Sequence, residues 1–182
     1  MKLSKIIYAL LLSTLIVATL SACTTSNSKA GGFVSDADIV ALSYKAADLL
    51  MEQAGDKIKP NSNTIVASYA DINNLSVSST FGRIAAQQVA SRLTQRGHKI
   101  TEMLLRKDIY IQERQGEFVL SRALKNISVE HDVTQVVVGT YAVASRNIYI
   151  TAKLIRTSDS EILGSVDYTL PLGPDMRQLT RN

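Results

Sequence analysis

The chain has a single cysteine, no tryptophan, two histidines and three prolines in 182 residues. One cysteine excludes an intramolecular disulfide and any cysteine-based zinc cluster. The two histidines, His98 and His131, stand far apart in sequence, and neither has a second ligand at metal spacing. Both fall at helix ends, where a surface histidine is ordinary. The Gly-x-Ser-x-Gly turn of a serine hydrolase is absent, as are the Walker and Gly-x-Gly-x-x-Gly loops that lead phosphate into a helix. Gly139 lies inside an apolar run, where it marks a bulge or a close helix approach. Asp71, Asp108 and Asp132 sit beside expected strand ends, where a site on an α/β sheet could form. A lone acid in a loop is ordinarily a turn or cap residue. No catalytic residue, metal ligand or cofactor site is therefore assigned, and the chain is not expected to be an enzyme.

The N-terminus carries the most specific signal. Lys2 and Lys5 precede a charge-free stretch from Ile6 to Leu20, which ends in the small residues Ser21 and Ala22 before Cys23. This is the layout of a secretory signal, and its apolar run is shorter than the roughly 18–20 residues of a bilayer-spanning helix. Leu20-Ser21-Ala22-Cys23 resembles a lipobox, which implies cleavage between Ala22 and Cys23 and a diacylglycerol on the Cys23 thiol. Thr24 follows where an Asp would resemble an inner-membrane retention signal, so the expected destination is the outer membrane, facing the periplasm. Several acyl chains make such an anchor stable where one would be marginal.

Four segments are expected: signal peptide 1–22, lipidated tether 23–35, an α/β domain 36–173 and a C-terminal tail 174–182. Removing 22 of 182 residues leaves 160, the size of one domain. Loss of Lys2 and Lys5 from 20 basic groups leaves 18 against 16 acids, a near balance that gives no reason to expect nucleic acid. The tether is small and polar and reaches only some 15–20 Å at about 5–6 Å times the square root of its length.

Ser35-Asp36 offers a helix cap, and Ile39, Leu42, Ala46, Leu49 and Leu50 recur at helical spacing, predicting a helix from Asp36 to Ala54. Asp38, Lys45, Asp48 and Glu52 take its solvated face. Thr64 to Tyr69 reads as a strand, and Asp71 to Ser79 as a loop whose Ser78 or Ser79 caps the next helix. That helix runs from Ser79 to Arg96, with Gly97 at the C-terminal position and Arg92 and Arg96 suited to its dipole. His98 to Leu105 and Asp108 to Gln112 read as extended pieces. Leu120 to His131 reads as a third helix.

Val136-Val-Val138 with Tyr141 and Val143 places apolar residues on both faces, as in a central strand. Ile148, Ile150, Ala152 and Leu154 alternate with polar residues, as do Ile162, Val166, Tyr168 and Leu170. Compact polar turns join these runs into an antiparallel meander. The expected fold is a single-domain α/β (α+β) sandwich: a mixed sheet ending in a three-strand antiparallel meander, with about three helices packed on it. Strand propensity explains most of the tyrosines, and Tyr149 and Tyr168, if outward, would form part of a protein-binding patch.

Several stretches resemble the FlgO-type outer-membrane proteins of flagellated bacteria, many of them lipoproteins. They are the opening helix, Thr64-Ile-Val-Ala-Ser-Tyr69, Phe81 to Gly97, Gly116-Glu-Phe-Val-Leu-Ser-Arg122, Val136-Val-Val-Gly-Thr-Tyr141, Ile148 to Leu154 and Asp167-Tyr-Thr-Leu-Pro171. The resemblance spans about Ile39 to Leu172. It implies a non-enzymatic envelope component at the outer-membrane end of the flagellar basal body, with basal-body proteins as partners and no catalytic residues to carry over. The architecture is also similar to small periplasmic domains of the curli secretion lipoprotein and of a lipoprotein activator of peptidoglycan synthases, which implies the alternative of an envelope adaptor. The sequence neither requires nor excludes an oligomer.

Overall fold

The computed structural model describes residues 34–59, 61–101 and 132–181. The expected strand 108–112 and helix 120–131, and the candidate residues Asp108 and His131, lie outside them, as do Ala22 and Cys23.

The C-terminal half supplies the frame. β4 (Gln135–Val143), β5 (Asn147–Arg156) and β6 (Ile162–Pro171) form the expected antiparallel meander. Three short strands, β1 (Asn63–Val66), β2 (Ala70–Asp71) and β3 (Lys99–Ile100), complete a mixed sheet of order β3-β1-β4-β5-β6. β1 pairs with β3 and with β4 in parallel, and β2 continues alongside β4. β4 is thus central, as its two-faced apolar pattern predicts.

The expected strand 64–69 is divided. Ala67 N–H still donates to Val137 O, but Tyr69 N–H turns away to Gly82 O. The ring of Tyr69 swings against Gly139, where a Cβ would overlap it. Gly139 therefore marks a close approach of an aromatic side chain, not of a helix, and not a bulge, because it stays in register with Ala152. The bulge lies instead at the start of β6, where the register shifts beside Leu154 and Ile155. It turns Leu163 inward and leaves Ile162 47% exposed, against the inward position that simple alternation gives Ile162.

Two long helices cover one face of the sheet. α1 (Ile39–Ala54) starts three residues later than expected, because Asp38, not Ser35 or Asp36, accepts from Ala41 N–H at 3.0 Å. Its small buried residues Ala46, Ala47 and Ala54 let its backbone approach β6, where a Cβ on Gly164 would stand 2.7 Å from Leu50 O. α2 (Thr80–Gln95) is capped by Ser79, whose hydroxyl accepts from Gly82 N–H at 3.4 Å, and Gly97 follows with φ 83°. Phe81 meets Tyr141 edge-to-face, ring centroids 5.2 Å apart, within one core that runs from Ala46 to Met176.

Residues 174–182, expected as a tail, instead carry a third helix, α3 (Pro174–Leu179), which buries Met176 in that core. Its cap comes from far away: Asp36 accepts from Asp175 N–H at 2.9 Å and from Met176 N–H at 3.1 Å. Among the described residues, no helix is long and apolar enough to cross a membrane.

Candidate functional site

Because strand side chains alternate, the face of the sheet turned away from α1 and α2 is set by register. At one end of that face Ile65, Ala67, Val133, Val136 and Ile155 make a second, smaller buried cluster. At the other end the character changes. Thr140, Thr151 and Asp167 stand opposite one another across β4, β5 and β6, and so do Ala142, Tyr149 and Thr169. All but Tyr149 are small or polar, so that ring stands proud at 52% exposed.

Ile72, 56% exposed, comes in from the turn after β2, held there by its N–H bond to Tyr141 O at 2.9 Å. Together these residues line an open concavity of about 470 Å³. Among the described residues, Asp167 is the one charged side chain lining it. Thr151 Oγ1 donates to Asp167 Oδ1 at 2.6 Å, which fixes the carboxylate and leaves Oδ2 without a partner among the described residues. Among the described residues, the rest of the concavity's lining is apolar or hydroxyl-bearing. It can serve contact: an apolar surface with one directed negative charge.

The two tyrosines of the expected patch part company. Tyr149 is on this face, but Tyr168 pairs with Ile150 and points the other way, into the helix-covered core. Burial pushes the Tyr168 hydroxyl up to about 12, and the Ser43 hydroxyl beside it acts in the opposite direction. Asp71 is a turn residue, accepting from Asn73 N–H at 2.8 Å and from its side-chain amide at 3.0 Å. Asp132 adopts φ 50°, and its carbonyl accepts from Asn63 Nδ2 at 3.2 Å. His98 donates its N–H to Leu93 O as α2 ends. Among the described residues no three His, Cys, Asp or Glu side chains group to hold a metal.

Sequence patterning missed a second polar feature. Asp48 of α1 is clasped by Arg92 of α2 and by Arg96 just past its end, each donating from Nε and Nη2 at 2.7–3.0 Å. Arg92 also lies over the Tyr44 ring, 5.5 Å from its centroid, and Gln95 donates to the Tyr44 hydroxyl. Amphipathic periodicity assigns these charges to solvated faces, and only the packing of α1 beside α2 brings them together. They hold the two helices to each other and lie away from the concavity.

The model of the FlgO protein family matches residues 44–175, which include every residue lining the concavity. The chain belongs to the FlgO family. No curated protein matches this FlgO chain by sequence. Among solved structures, it is similar to the LpoB C-terminal domain from Salmonella enterica and to that from Escherichia coli. Each is 12% identical with a TM-score of 0.53, covering 73% of this chain and 98% of the LpoB domain. At that identity the likeness is one of fold. The FlgO domain is thus an α+β sheet-and-helix fold with an open concavity on the side of the sheet turned away from α1 and α2.

Proposed function

We propose that this protein is a non-enzymatic lipoprotein of the outer membrane, lipidated at Cys23 after cleavage behind Ala22, with its FlgO domain in the periplasm. There it supports assembly and stability of the flagellar basal body through protein-protein contacts, and so supports motility. The observation that carries this reading is the family match over 44–175, joined to the signal and lipobox at the N-terminus. The exposed concavity agrees with a docking role. A second reading, an envelope adaptor that regulates peptidoglycan synthesis or secretion machinery, has the shared fold in its favour.

The test is deletion of the gene in its flagellated host, with complementation by the wild-type chain or by Cys23→Ser. Loss of swimming and of filaments at normal growth, restored by the wild-type chain and not by Cys23→Ser, is the expected result. Purification of the tagged protein from detergent-solubilised envelopes should enrich ring and rod proteins. Normal motility of the deletion strain, or enrichment of peptidoglycan synthases instead, overturns the flagellar reading.

A further inference from the structure

The concavity on the face turned away from α1 and α2 has a shape and a charge pattern that specify what fits it. Its apolar side is made by Ile72 and Tyr149, both more than half exposed, and its floor by the small side chains of Thr140 and Ala142. Among the described residues, its polar side is a single carboxylate, Asp167, oriented by Thr151 with Oδ2 left open. Tyr149 stands opposite Thr169 on β6, and Asp167 is two residues along that strand, on the same face. Tyr149 and Asp167 are therefore diagonal neighbours, roughly 7–8 Å apart.

That span is the repeat of an extended chain. Side chains at i and i+2 of a β-strand point to the same side about 7 Å apart. We infer that the concavity takes an extended segment of a partner protein that places an apolar side chain against Ile72 and Tyr149 and, two residues on, an arginine or lysine against Asp167. The carboxylate selects the occupant. It repels an anionic lipid surface or a nucleic-acid backbone and attracts a basic side chain, with which it forms a charge-assisted hydrogen bond. An exposed aromatic beside a directed charge is also the composition of an interface anchor. This inference deepens the docking role proposed above and rests on it, by naming the surface and the chemistry of the partner segment.

The experiment is site-specific photocrosslinking of the full-length lipoprotein in its host, with p-benzoylphenylalanine at position 149 and, as a control, at the exposed Glu52 of α1. The adduct is then mapped to a peptide. The expected result is an adduct at position 149 to a different polypeptide, in a segment of apolar-x-basic pattern. Asp167→Asn should reduce its yield about fivefold and Asp167→Lys at least tenfold, with no loss for Glu52→Gln. Replacing the partner's basic residue by Asp should restore the yield against Asp167→Lys. An adduct to a second copy of this chain, a mapped segment without a basic residue, or yields unchanged by both Asp167 variants would overturn the inference. The two ideas fail separately. Ring and rod proteins that still co-purify with Asp167→Lys, with no adduct at 149, sink the surface and leave the flagellar role. A mapped apolar-x-basic segment in a non-flagellar protein sinks the flagellar role and leaves the surface.

Discussion

The Tyr141 hydroxyl donates to Ser79 Oγ at 2.8 Å and accepts from Ser79 N–H at 3.2 Å, so the central strand closes the cap of α2 from 62 residues away. Ser79 Oγ in turn accepts from Gly82 N–H. Tyr141→Phe keeps the ring against Phe81 and removes only the hydroxyl, leaving a buried N–H and a buried hydroxyl without that partner. A loss of about 1–2 kcal/mol is expected in urea unfolding, the cost of stranding buried polar groups. A loss within a few tenths would mean that the cap stands without the strand.

The clasp of Asp48 predicts a pH dependence. Hydrogen bonds from Arg92 first and Arg96 second hold its carboxyl well below the usual carboxylate range. A group whose pKa is depressed by folding contributes stability that is full above its unfolded value, near 3.9, and is lost as pH falls through the folded value. Asp48→Asn should therefore cost about 1 kcal/mol at pH 7, a modest figure because Asp48 is 32% and Arg96 53% exposed and solvent screens the pair. The gap between wild type and variant in unfolding free energy should hold from pH 7 to pH 5 and narrow steadily below pH 4. A gap that widens with acid would reverse the sign and discard the clasp as its cause.

Most of the sheet and α2 were legible because burial on one side leaves a period in the sequence. Ile148 to Leu154 alternate as a half-covered strand must, and Ser79 and Gly97 bracket α2 with cap chemistry. Features that depend on distant partners left no such trace. Asp36 and Asp38 both precede α1 and are interchangeable as caps by local pattern, yet Asp36 is drawn off to α3. Thr64 to Tyr69 is β-prone throughout, and only the docking of Tyr69 against Gly82 and Gly139 breaks it. Of the candidate patch, Tyr149 was legible, whereas Ile72 joins it through a turn, and Asp167 becomes its charge only when register sets it beside Thr151.

Gly139 and Gly97 separate two reasons for glycine. A methyl on Gly139 would overlap the ring of Tyr69, which is wholly buried and cannot swing out. Gly139→Ala should cost about 2–3 kcal/mol by overpacking, measured by thermal unfolding. Gly97 has open space around its absent Cβ but φ 83°, so Gly97→Ala pays conformational strain alone, about 1 kcal/mol. Equal losses at the two sites would show that Tyr69 yields to the methyl.

Asp36 offers a local counterpart. α3 has Gly173 at its cap position with no side chain to serve, and a Cβ there would overlap the Asp36 carboxylate that serves in its place. Asp36→Ala removes the acceptor of two backbone N–H groups, a change typically of about 1 kcal/mol. Since α3 is only six residues long and is held otherwise by Met176, the loss should appear as local opening before global unfolding. Hydrogen exchange of the amides from 175 to 180 should quicken roughly fivefold while those of β4 and β5 stay unchanged, and Asp36→Asn, which keeps one acceptor oxygen, should fall between. If exchange rises equally in β4 and β5, α3 is part of the globally cooperative unit, and its helix is not held by Asp36 alone.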